Sequence, residues 1–361
     1  MKRTMSWALI LFVLLLVGIL ATLAFFPGFV FSRWLSTRAV VAHALAFPLA
    51  MGSIGVACGV GALGFAGLRV MRGRPHAQGL TSWFWILLAV LGVVTFASSI
   101  RLSMPPGAAT DSAPQGRTLT VLTWNTHDGN VETQLGKLLE EHRPDIVVLP
   151  ETNSSRMARF LALSTNGPQY DLFERSFASR ATSIEATLVL VSRDLGAYRL
   201  VEGPQVTFDA VHLVPDKDPS LPAIVGVHTA PPLPGLMDAW RTDLQLVAQM
   251  SGCANSPDVP GKEHISSAPG GTIVAGDVNA TMRHGALAQQ RGCTDASSKV
   301  TPSGKNRILA TQGTWPASLP AVLRSPIDHV LLSGPLTPLS AQVLPTKESD
   351  HNPLLVTVGA K

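Results

Sequence analysis

Polar side chains end a series of hydrophobic runs spread over the last two thirds of the chain. The polar residues that close these runs are Asn125, Glu151, His228, Asp277 and the pair Asp350 and His351. Short apolar runs bounded by polar or turn residues are typical of buried strands. A rigid sheet can hold groups from distant sequence positions around one pocket. We therefore expect these side chains to meet at one end of an α/β domain.

Two of these residues carry oxygen atoms suited to a hard cation. Glu151 follows the apolar run Ile146-Val147-Val148-Leu149-Pro150, and Asn125 adds a neutral amide oxygen. Carboxylate and amide oxygens suit Mg²⁺ or Mn²⁺. An isolated Glu after a strand is more often a solvated loop charge. The metal hypothesis therefore depends on the whole set of polar residues.

Two short motifs have a spacing that suits a reacting centre. Asp277 and Asn279 in Gly276-Asp277-Val278-Asn279 are two residues apart, so they lie on the same side of an extended segment. The same residue types also favour an Asx turn. Asp350 and His351 are adjacent, so they point in opposite directions if the segment is extended.

Together these motifs, in this order and with Ile327-Asp328-His329-Val330 before the last, resemble the endonuclease/exonuclease/phosphatase superfamily. The resemblance implies a four-layer α-β-β-α sandwich of the DNase-I-like type. It implies that Asp277 orients or deprotonates the attacking water and that Asn279 contacts the scissile phosphate. It implies a metal site that includes Asn125, Glu151 and Asp350.

The resemblance also assigns the histidines. His351 takes the place of the general acid/base or phosphate-stabilising residue, and Asp328 is the carboxylate that orients its imidazole. His228 resembles the second histidine, which stabilises phosphate charge. A lone histidine is more often a hydrogen-bonded structural residue.

The chain departs from the family pattern near two of these motifs. His127 stands where many nucleases have Asp, with Asp128 one position later, and Pro326 stands where Arg commonly precedes the Ile-Asp pair. These differences argue against nuclease specificity more than against hydrolysis. Trp315 could form an aromatic wall for a substrate or could pack in the core.

The first hundred residues have a different composition. Three apolar runs, at residues 6–26, 39–68 and 81–100, each have the ~20 residues that a membrane helix needs. The first follows Lys2 and Arg3 but lacks a clean cleavage site, so we interpret it as an uncleaved anchor rather than a signal peptide. A cytoplasmic N-terminus places the basic residues mainly inside: Lys2, Arg3, Arg69, Arg72 and Arg74 against Arg33 and Arg38 outside.

This topology predicts three domains: a membrane anchor at 1–102, a flexible Pro/Gly-rich linker at 103–117 and an extracytoplasmic α/β domain at 118–361. Strands are expected at 119–125, 146–149, 186–192, 206–214, 223–228, 272–275, 328–332 and 354–358, and helices at 131–142 and 236–250. Cys253 and Cys293 would lie where disulfides persist, and pairing and non-pairing are both open.

The function predicted from the sequence is a membrane-anchored, Mg²⁺- or Mn²⁺-dependent phosphoesterase whose substrate is a phosphorylated lipid or cell-envelope intermediate. The domain arrangement looks like the three-span bacterial branch linked with teicoplanin resistance. No basic run with interleaved aromatics occurs in residues 118–361 despite the net charge of +4, so nucleic acid is a less favoured partner. The alternatives are an extracytoplasmic nuclease and a catalytically degenerate domain that binds phosphorylated ligands or a protein partner.

Overall fold

The C-terminal part of the protein contains two mixed six-stranded sheets. The computed structural model describes residues 2–71, 90–98, 100, 117–175, 186–254, 268–299 and 313–360. One sheet has the order β11-β12-β1-β2-β4-β3 and the other β5-β6-β7-β8-β10-β9. The strands are β1 Thr118–Thr123, β2 Ile146–Thr152, β3 Tyr170–Phe173, β4 Ala186–Ser192, β5 Tyr198–Val201, β6 Asp209–Pro215, β7 Ala223–His228, β8 Thr272–Asp277, β9 Cys293–Asp295, β10 Asp328–Ser333, β11 Leu336–Val343 and β12 Leu354–Ala360.

Helices cover the outer faces of the sheets and form the N-terminal segment. The N-terminal helices are α1 Lys2–Phe25, α2 Val30–Ser36, α3 Ala39–Ala46 and α4 Pro48–Met71. The helices of the α/β domain are α5 Glu132–His142, α6 Ser154–Leu163 and α7 Met237–Met250. Short 3-10 helices occur at Gly167–Gln169, Gly285–Gln289, Ala296–Lys299 and Ala321–Leu323.

Successive side chains along each central strand alternate between the core between the two sheets and the outer helix layer. In β2, Ile146 and Val148 point into the core between the sheets, whereas Val147 and Leu149 pack with the residues of α5 and α6. In β8, Ile273 points into the same central core and Val274 packs with the residues of α7. Both faces of each central strand are therefore apolar, which explains why these strands appear in the sequence as continuous hydrophobic runs.

The predicted α/β class and its two predicted helices are confirmed, with small shifts at the ends. The first strand ends at Thr123 rather than at Asn125, and the strand at Thr272 continues to Asp277. The four edge strands β3, β5, β9 and β11 and the helix α6 were not predicted. Of these, β3, β5 and β9 have only three or four residues, too few for a clear alternation pattern.

The three predicted membrane helices are not confirmed as continuous helices. Among the described residues, no single helix has both the length and the hydropathy needed to cross a bilayer, although two bent pairs reach both when combined: Leu14–Phe25 with Val30–Ser36 (99°) and Ala39–Ala46 with Pro48–Gly61 (96°). The second predicted span breaks before Pro48, which lacks an N–H and disfavours helical geometry in the preceding residue. Residues 81–89 and 99 of the third span, and residues 103–116 of the linker, lie outside the described residues.

Cys253 and Cys293 form a disulfide with a Cα–Cα distance of 4.7 Å. Cys253 follows the end of α7, and Cys293 begins the edge strand β9. The bridge therefore ties the outer helix layer to the edge of the second sheet. Cys58 is a free, exposed cysteine.

Candidate active site

The polar residues predicted from the strand ends lie at one end of the two sheets. β1 is parallel to β2 and β7 is parallel to β8, so the C-terminal ends of all four strands bring Asn125, Glu151, His228 and Asp277 to this end. β10 runs antiparallel to β8, and Asp328 at its start lies directly opposite Asp277. Asp328 therefore lies at the same end of the sheets as the other residues, although it begins its strand rather than ending it.

Glu151, Asn125 and His228 form one side of the site. Asn125 Nδ2 donates to Glu151 Oε1 at 2.9 Å and to Asp277 Oδ2 at 3.0 Å. His228 Nε2 lies 3.4 Å from Glu151 Oε1 and 3.9 Å from Asp277 Oδ2. The Asn125 amide thus bridges two carboxylates that would otherwise repel each other.

The orientation of Asn125 follows from its hydrogen-bond partners. Its Oδ1 accepts the backbone N–H of His127 at 2.9 Å, while both acceptors facing its other amide atom are carboxylates, which require a donor. The predicted metal-ligand oxygen of Asn125 is thus turned toward the backbone. In this arrangement Asn125 positions Glu151 and Asp277 instead.

Glu151 has an unusual backbone conformation. Its φ is +52°, in a region that non-glycine residues seldom adopt, and the β2–β4 register shifts between Leu149 and Thr152. The Glu151 carbonyl accepts hydrogen bonds from Asp128 N and Thr126 Oγ1. This bulge turns the Glu151 side chain toward the site, where a quarter of it is exposed.

Asp277 is the central carboxylate. It is 1% exposed, and its Oδ1 accepts the backbone N–H of Asn279 at 2.8 Å. Burial raises the pKa of Asp277 to about 7, against the opposing effect of His351. A carboxylate with a pKa near neutrality can accept a proton during turnover more readily than an ordinary one.

His351 and Asp328 form a buried pair. His351 Nδ1 lies 2.8 Å from Asp328 Oδ2, and the Asp328 side chain is fully buried. Burial lowers the pKa of His351, but the carboxylates of Asp328 and Asp277 outweigh it and raise the pKa to about 10. His351 is therefore an imidazolium at neutral pH, with Nδ1–H donated to Asp328.

The other nitrogen of His351 faces the reacting side of the site. His351 Nε2 is 3.8 Å from Asp277 Oδ2, which is too long for a hydrogen bond. Its proton can therefore be donated to a third group between them. The backbone of His351 is held from both sides, because its carbonyl accepts from Trp124 Nε1 at 2.8 Å and its N–H donates to Ser349 Oγ at 3.1 Å.

His228 differs from His351 in charge. Burial lowers the pKa of His228 to about 4, so its imidazole is neutral at pH 7. The ring packs edge-on against Phe208 at a centroid distance of 4.8 Å. Its buried Nδ1 has no hydrogen-bond partner among the described residues. At pH 7 one histidine of the site is therefore neutral and the other carries a positive charge.

Asn279 and Asp350 lie at the edge of this cluster. Asn279 has a φ of +49° and donates from Nδ2 to the carbonyl of Thr229 at 3.0 Å. Asp350 Oδ2 accepts from Trp315 Nε1 at 2.9 Å, and its Oδ1 lies 3.8 Å from His127 Nδ1. His127 Nδ1 therefore lies within 4 Å of a carboxylate oxygen of Asp350 and of one of Glu151.

Three nearby residues were not among the predicted site residues, although Trp315 had been considered as an aromatic wall. His127 Nδ1 lies 3.4 Å from Glu151 Oε2, and Ser349 Oγ donates to the carbonyl of Asn125 at 2.7 Å. The partly exposed Trp315 lies 6.3 Å from the His351 ring, which supports the aromatic-wall interpretation over core packing. His127 had been recognised only as a departure from the family pattern. The signal for Ser349 was its place beside Asp350.

A divalent cation fits one of two side-chain groups. Among the described residues, the ligand atoms of Glu151, His228 and Asp277 lie within 4.8 Å of one another, and so do those of Asp277, Asp328 and His351. The second group contains a protonated imidazole with Nδ1 committed to Asp328, which is a poor metal ligand. The first has two carboxylates and a neutral imidazole and is the better fit. Of the predicted ligands, Glu151 belongs to this group, and Asn125 lies beside it through its hydrogen bonds to Glu151 and Asp277.

Comparison with known protein families assigns the chain to a family. Residues 122–351 match the endonuclease/exonuclease/phosphatase family. The chain belongs to this family. Proteins of the endonuclease/exonuclease/phosphatase family are metal-dependent hydrolases that act as phosphoesterases or nucleases, and the matched region contains every predicted site residue. No curated protein matches the chain.

Several solved structures are similar to this chain. An endonuclease/exonuclease/phosphatase from Bacteroides vulgatus is 17% identical, with 68% of this chain and 100% of that one covered and a TM-score of 0.47. TDP2 from D. rerio, complexed with single strand DNA product, is 16% identical over 67% of this chain and 99% of that one, with a TM-score of 0.48. The 3' phosphatase NExo from Neisseria, bound to product DNA hairpin, is 16% identical over 66% and 98%, with a TM-score of 0.45.

Proposed function

We propose that this member of the endonuclease/exonuclease/phosphatase family is a membrane-anchored phosphoesterase that hydrolyses a phosphorylated lipid or cell-envelope intermediate outside the cytoplasm. The observation that carries the hydrolytic part is the buried Asp328–His351 pair beside Asp277. A binding domain has no need of a buried imidazolium directed at a second buried carboxylate. The same arrangement argues against a catalytically degenerate domain.

The residues divide the chemistry between a proton acceptor and a proton donor. Asp277, with its pKa raised to about 7, accepts the proton of the attacking water. His351 is protonated and stabilises the phosphate charge or donates its Nε2 proton to the leaving oxygen, while Asp328 keeps its ring in position. His228 and Asn279 lie where they would contact phosphate oxygens. Glu151 is the member of the first side-chain group that has no other proposed role, so it would hold a Mg²⁺ or Mn²⁺ ion, which when bound would neutralise phosphate oxygens.

The proposed location is supported by the composition of the chain. The apolar N-terminal runs and the basic residues around them favour a multi-pass anchor with a cytoplasmic N-terminus. The Cys253–Cys293 disulfide suits an oxidising compartment. A membrane-tethered hydrolase has ready access to lipid phosphates, whereas residues 118–361 contain no basic run that would follow a nucleic-acid backbone.

A substrate panel tests this function. The full-length protein in detergent is assayed with Mg²⁺ or Mn²⁺ on polyprenyl phosphates, phosphoinositides, DNA and RNA. We expect metal-dependent release from a lipid phosphate. Release from DNA alone would establish the nuclease alternative, and no release from any of them would support the binding-domain alternative.

Matched variants connect the activity to the site. Glu151→Gln removes the charged ligand but keeps the hydrogen-bond acceptor, and we expect a loss of roughly a thousandfold or more in turnover. Glu140→Gln, an exposed position on α5, is the control and should retain wild-type activity. Wild-type turnover in Glu151→Gln, or full activity in chelator, would remove Glu151 from the site.

Protease accessibility tests the orientation. A protease added outside intact cells should cut within residues 108–115 and release the α/β domain. Protection until the membrane is permeabilised would place the domain in the cytoplasm.

A further inference from the structure

The helix α2 buries small polar residues and exposes large apolar ones. Its small polar residues are buried: Ser32 and Ser36 are each 1% exposed, and the following Thr37 is 6% exposed. The outward face instead carries large apolar side chains, with exposures of 66% for Val30 and 52% for Trp34. A helix on a protein in water buries its apolar side. The outward face of α2 is therefore suited to a non-aqueous environment.

Polar contacts attach this helix and its neighbours to the α/β domain. Residues 24–46, which we call the docking segment, include the end of α1 together with α2 and α3. Arg283 Nη1 donates to the carbonyl of Ala24 at 3.2 Å, and Arg241 Nε donates to the carbonyl of Thr37 at 3.2 Å. Ala24 is in the last turn of α1, and Thr37 caps α2. Both arginines thus place positive charge at helix C-termini, where carbonyls need donors.

Two further contacts complete the attachment. The Gly285 N–H donates to Ser36 Oγ at 3.0 Å. His284 Nδ1 accepts the backbone N–H of Thr281 at 2.8 Å, so the proton of the neutral ring is on Nε2, which contacts the carbonyl of Ala42 at 3.1 Å. Burial lowers the pKa of His284 to about 4, which keeps this tautomer neutral at pH 7. The docking segment therefore rests on the domain through specific hydrogen bonds.

Charge identifies what covers the outward face. The first acidic residue in the chain is Asp111, so the whole N-terminal region is free of carboxylates. Arg33 and Arg38 flank the apolar face, and the Arg38 guanidinium lies 4.5 Å above the Trp34 ring. Tryptophan and arginine together are typical of the membrane–water interface, and cationic flanks favour anionic headgroups. A bilayer with anionic lipids matches both the apolar face and its charge.

The residues directly after the docking segment reach the active site. Phe47, directly after α3, lies 5.9 Å from the Trp315 ring, and Trp315 lies 6.3 Å from His351. α4 contacts the 3-10 helix Ala321–Leu323, which follows Trp315 in the chain. A bilayer that covered α2 would thus lie close to the Trp315 side of the catalytic residues.

We propose that the docking segment is a membrane-interface element that holds the Trp315 rim of the active site against an anionic bilayer. The proposed function explains only why this placement is useful. A lipid phosphate would then reach His351 without leaving the membrane. The contacts themselves do not depend on the substrate. The tests below therefore use no activity measurement as their main readout.

Spin-label accessibility tests the placement. Full-length protein with Cys58→Ser is reconstituted in vesicles of phosphatidylglycerol and phosphatidylcholine and labelled at Val30→Cys, at Leu319→Cys near the rim, or at Leu163→Cys on α6, which is 82% exposed. We expect the label at position 30 to be accessible to oxygen but protected from a water-soluble nickel chelate, the label at 319 to be intermediate and the label at 163 to be accessible to the chelate.

Three results would contradict the placement. Chelate accessibility at position 30 equal to that at 163 would show that α2 faces water. Short distances between labels at position 30 on two copies, with protection from oxygen as well, would show that a second copy of the chain covers this face. A label at 319 that behaves like the one at 163 would refute the contact between rim and bilayer.

A wedge substitution tests the attachment. Ser36→Trp cannot fit against Gly285, whereas Ser53→Trp on the exposed side of α4 makes the same chemical change away from the domain. Pulsed electron resonance between labels at Val40→Cys and Leu163→Cys should give one narrow distance distribution in the parent protein and in Ser53→Trp. Ser36→Trp should broaden it several-fold.

An unchanged distribution in Ser36→Trp would show that the attachment does not hold the docking segment. Hydrolysis of a small water-soluble phosphate ester serves as the folding control, because Ser36 lies outside the α/β domain. Absence of metal-dependent hydrolysis in the parent protein would instead contradict the proposed function. Failure of the proposed attachment and failure of the proposed function are thereby distinguished.

Discussion

Replacing Asp328 with Asn should lower turnover by about a hundredfold while the fold survives. The two carboxylates near His351 raise its pKa from 6.5 to about 10, a preference for the charged ring of roughly 5 kcal/mol. Asp328 is the nearer, at 2.8 Å against 3.8 Å for Asp277. If Asp328 supplies about half of this preference, its loss costs between about 2 and 3 kcal/mol, which at the upper end is about a hundredfold in rate.

The pH profile should change in a defined direction. His351 acts in its protonated form, so activity is lost as the pH rises through its pKa. That loss lies near pH 10 in the parent protein and should move toward pH 6.5 in Asp328→Asn, because the variant lacks the nearer stabilising charge. The measurement is kcat and KM against pH on the substrate that the panel identifies, with KM expected to change much less than kcat.

The chain contains its own control for this experiment. Asp295 Oδ2 and His329 Nδ1 form a second, partly buried pair at 3.0 Å, and His329 Nε2 donates to the carbonyl of Ala280 rather than facing the site. Asp295→Asn should therefore leave the loss of activity near pH 10 unchanged. An equal loss in both variants would indicate general destabilisation.

A double variant tests whether the pair acts as a unit. His351→Ala alone should cost at least as much as Asp328→Asn, and the combination should be little worse than the poorer single variant. Full multiplication of the two losses would refute the pairing on which this prediction depends.

Three further predictions concern the metal, the pH dependence of stability and the disulfide. His127→Asp should shift the preference from Mn²⁺ toward Mg²⁺, since imidazole suits transition metals and carboxylate suits Mg²⁺, and an unchanged ratio of activities would exclude His127 from the metal environment. His284 has a folded pKa of about 4 against 6.5, so its neutral state should cost about 3 kcal/mol of stability as the pH falls from 6.5 to 4, and His284→Gln should lack this loss in unfolding measurements. Replacing Cys253 and Cys293 with Ser, 40 residues apart, should destabilise the protein by about 4 kcal/mol, and a change under 1 kcal/mol in denaturant unfolding would contradict this.

The sequence by itself was sufficient for the main strands and for the residues that follow them. Strands such as Ile146–Thr152 are buried on both faces, so their burial is visible as a continuous apolar run without any knowledge of their neighbours. The order of the polar residues was enough to predict the family. Both signals are local or ordered along the chain, and therefore readable in one dimension.

Edge strands and side-chain orientation could not be predicted in this way. β3, β5 and β9 are short, and their strand state depends on pairing with a neighbour that lies elsewhere in the sequence. The direction of the Asn125 amide depends on two carboxylates, from β2 and β8, that meet it only in the folded protein. The side-chain oxygen of Asn125, predicted as a metal ligand from the residue type, therefore faces the backbone.

The tertiary structure also decided what the apolar N-terminal runs become. Hydropathy predicts that residues 6–26 and 39–68 avoid water, but it carries no information about where a helix bends or what lies beside it. Pro48 was a visible signal for one break. Two contacts join positions about 250 residues apart: Ser36 with Gly285 and Arg283 with Ala24. Such contacts form only when two separate parts of the chain come together in the folded protein. Local patterns therefore determined which residues are apolar and which are reactive, whereas long-range hydrogen bonds and charge determined how they are placed and which charge each histidine carries.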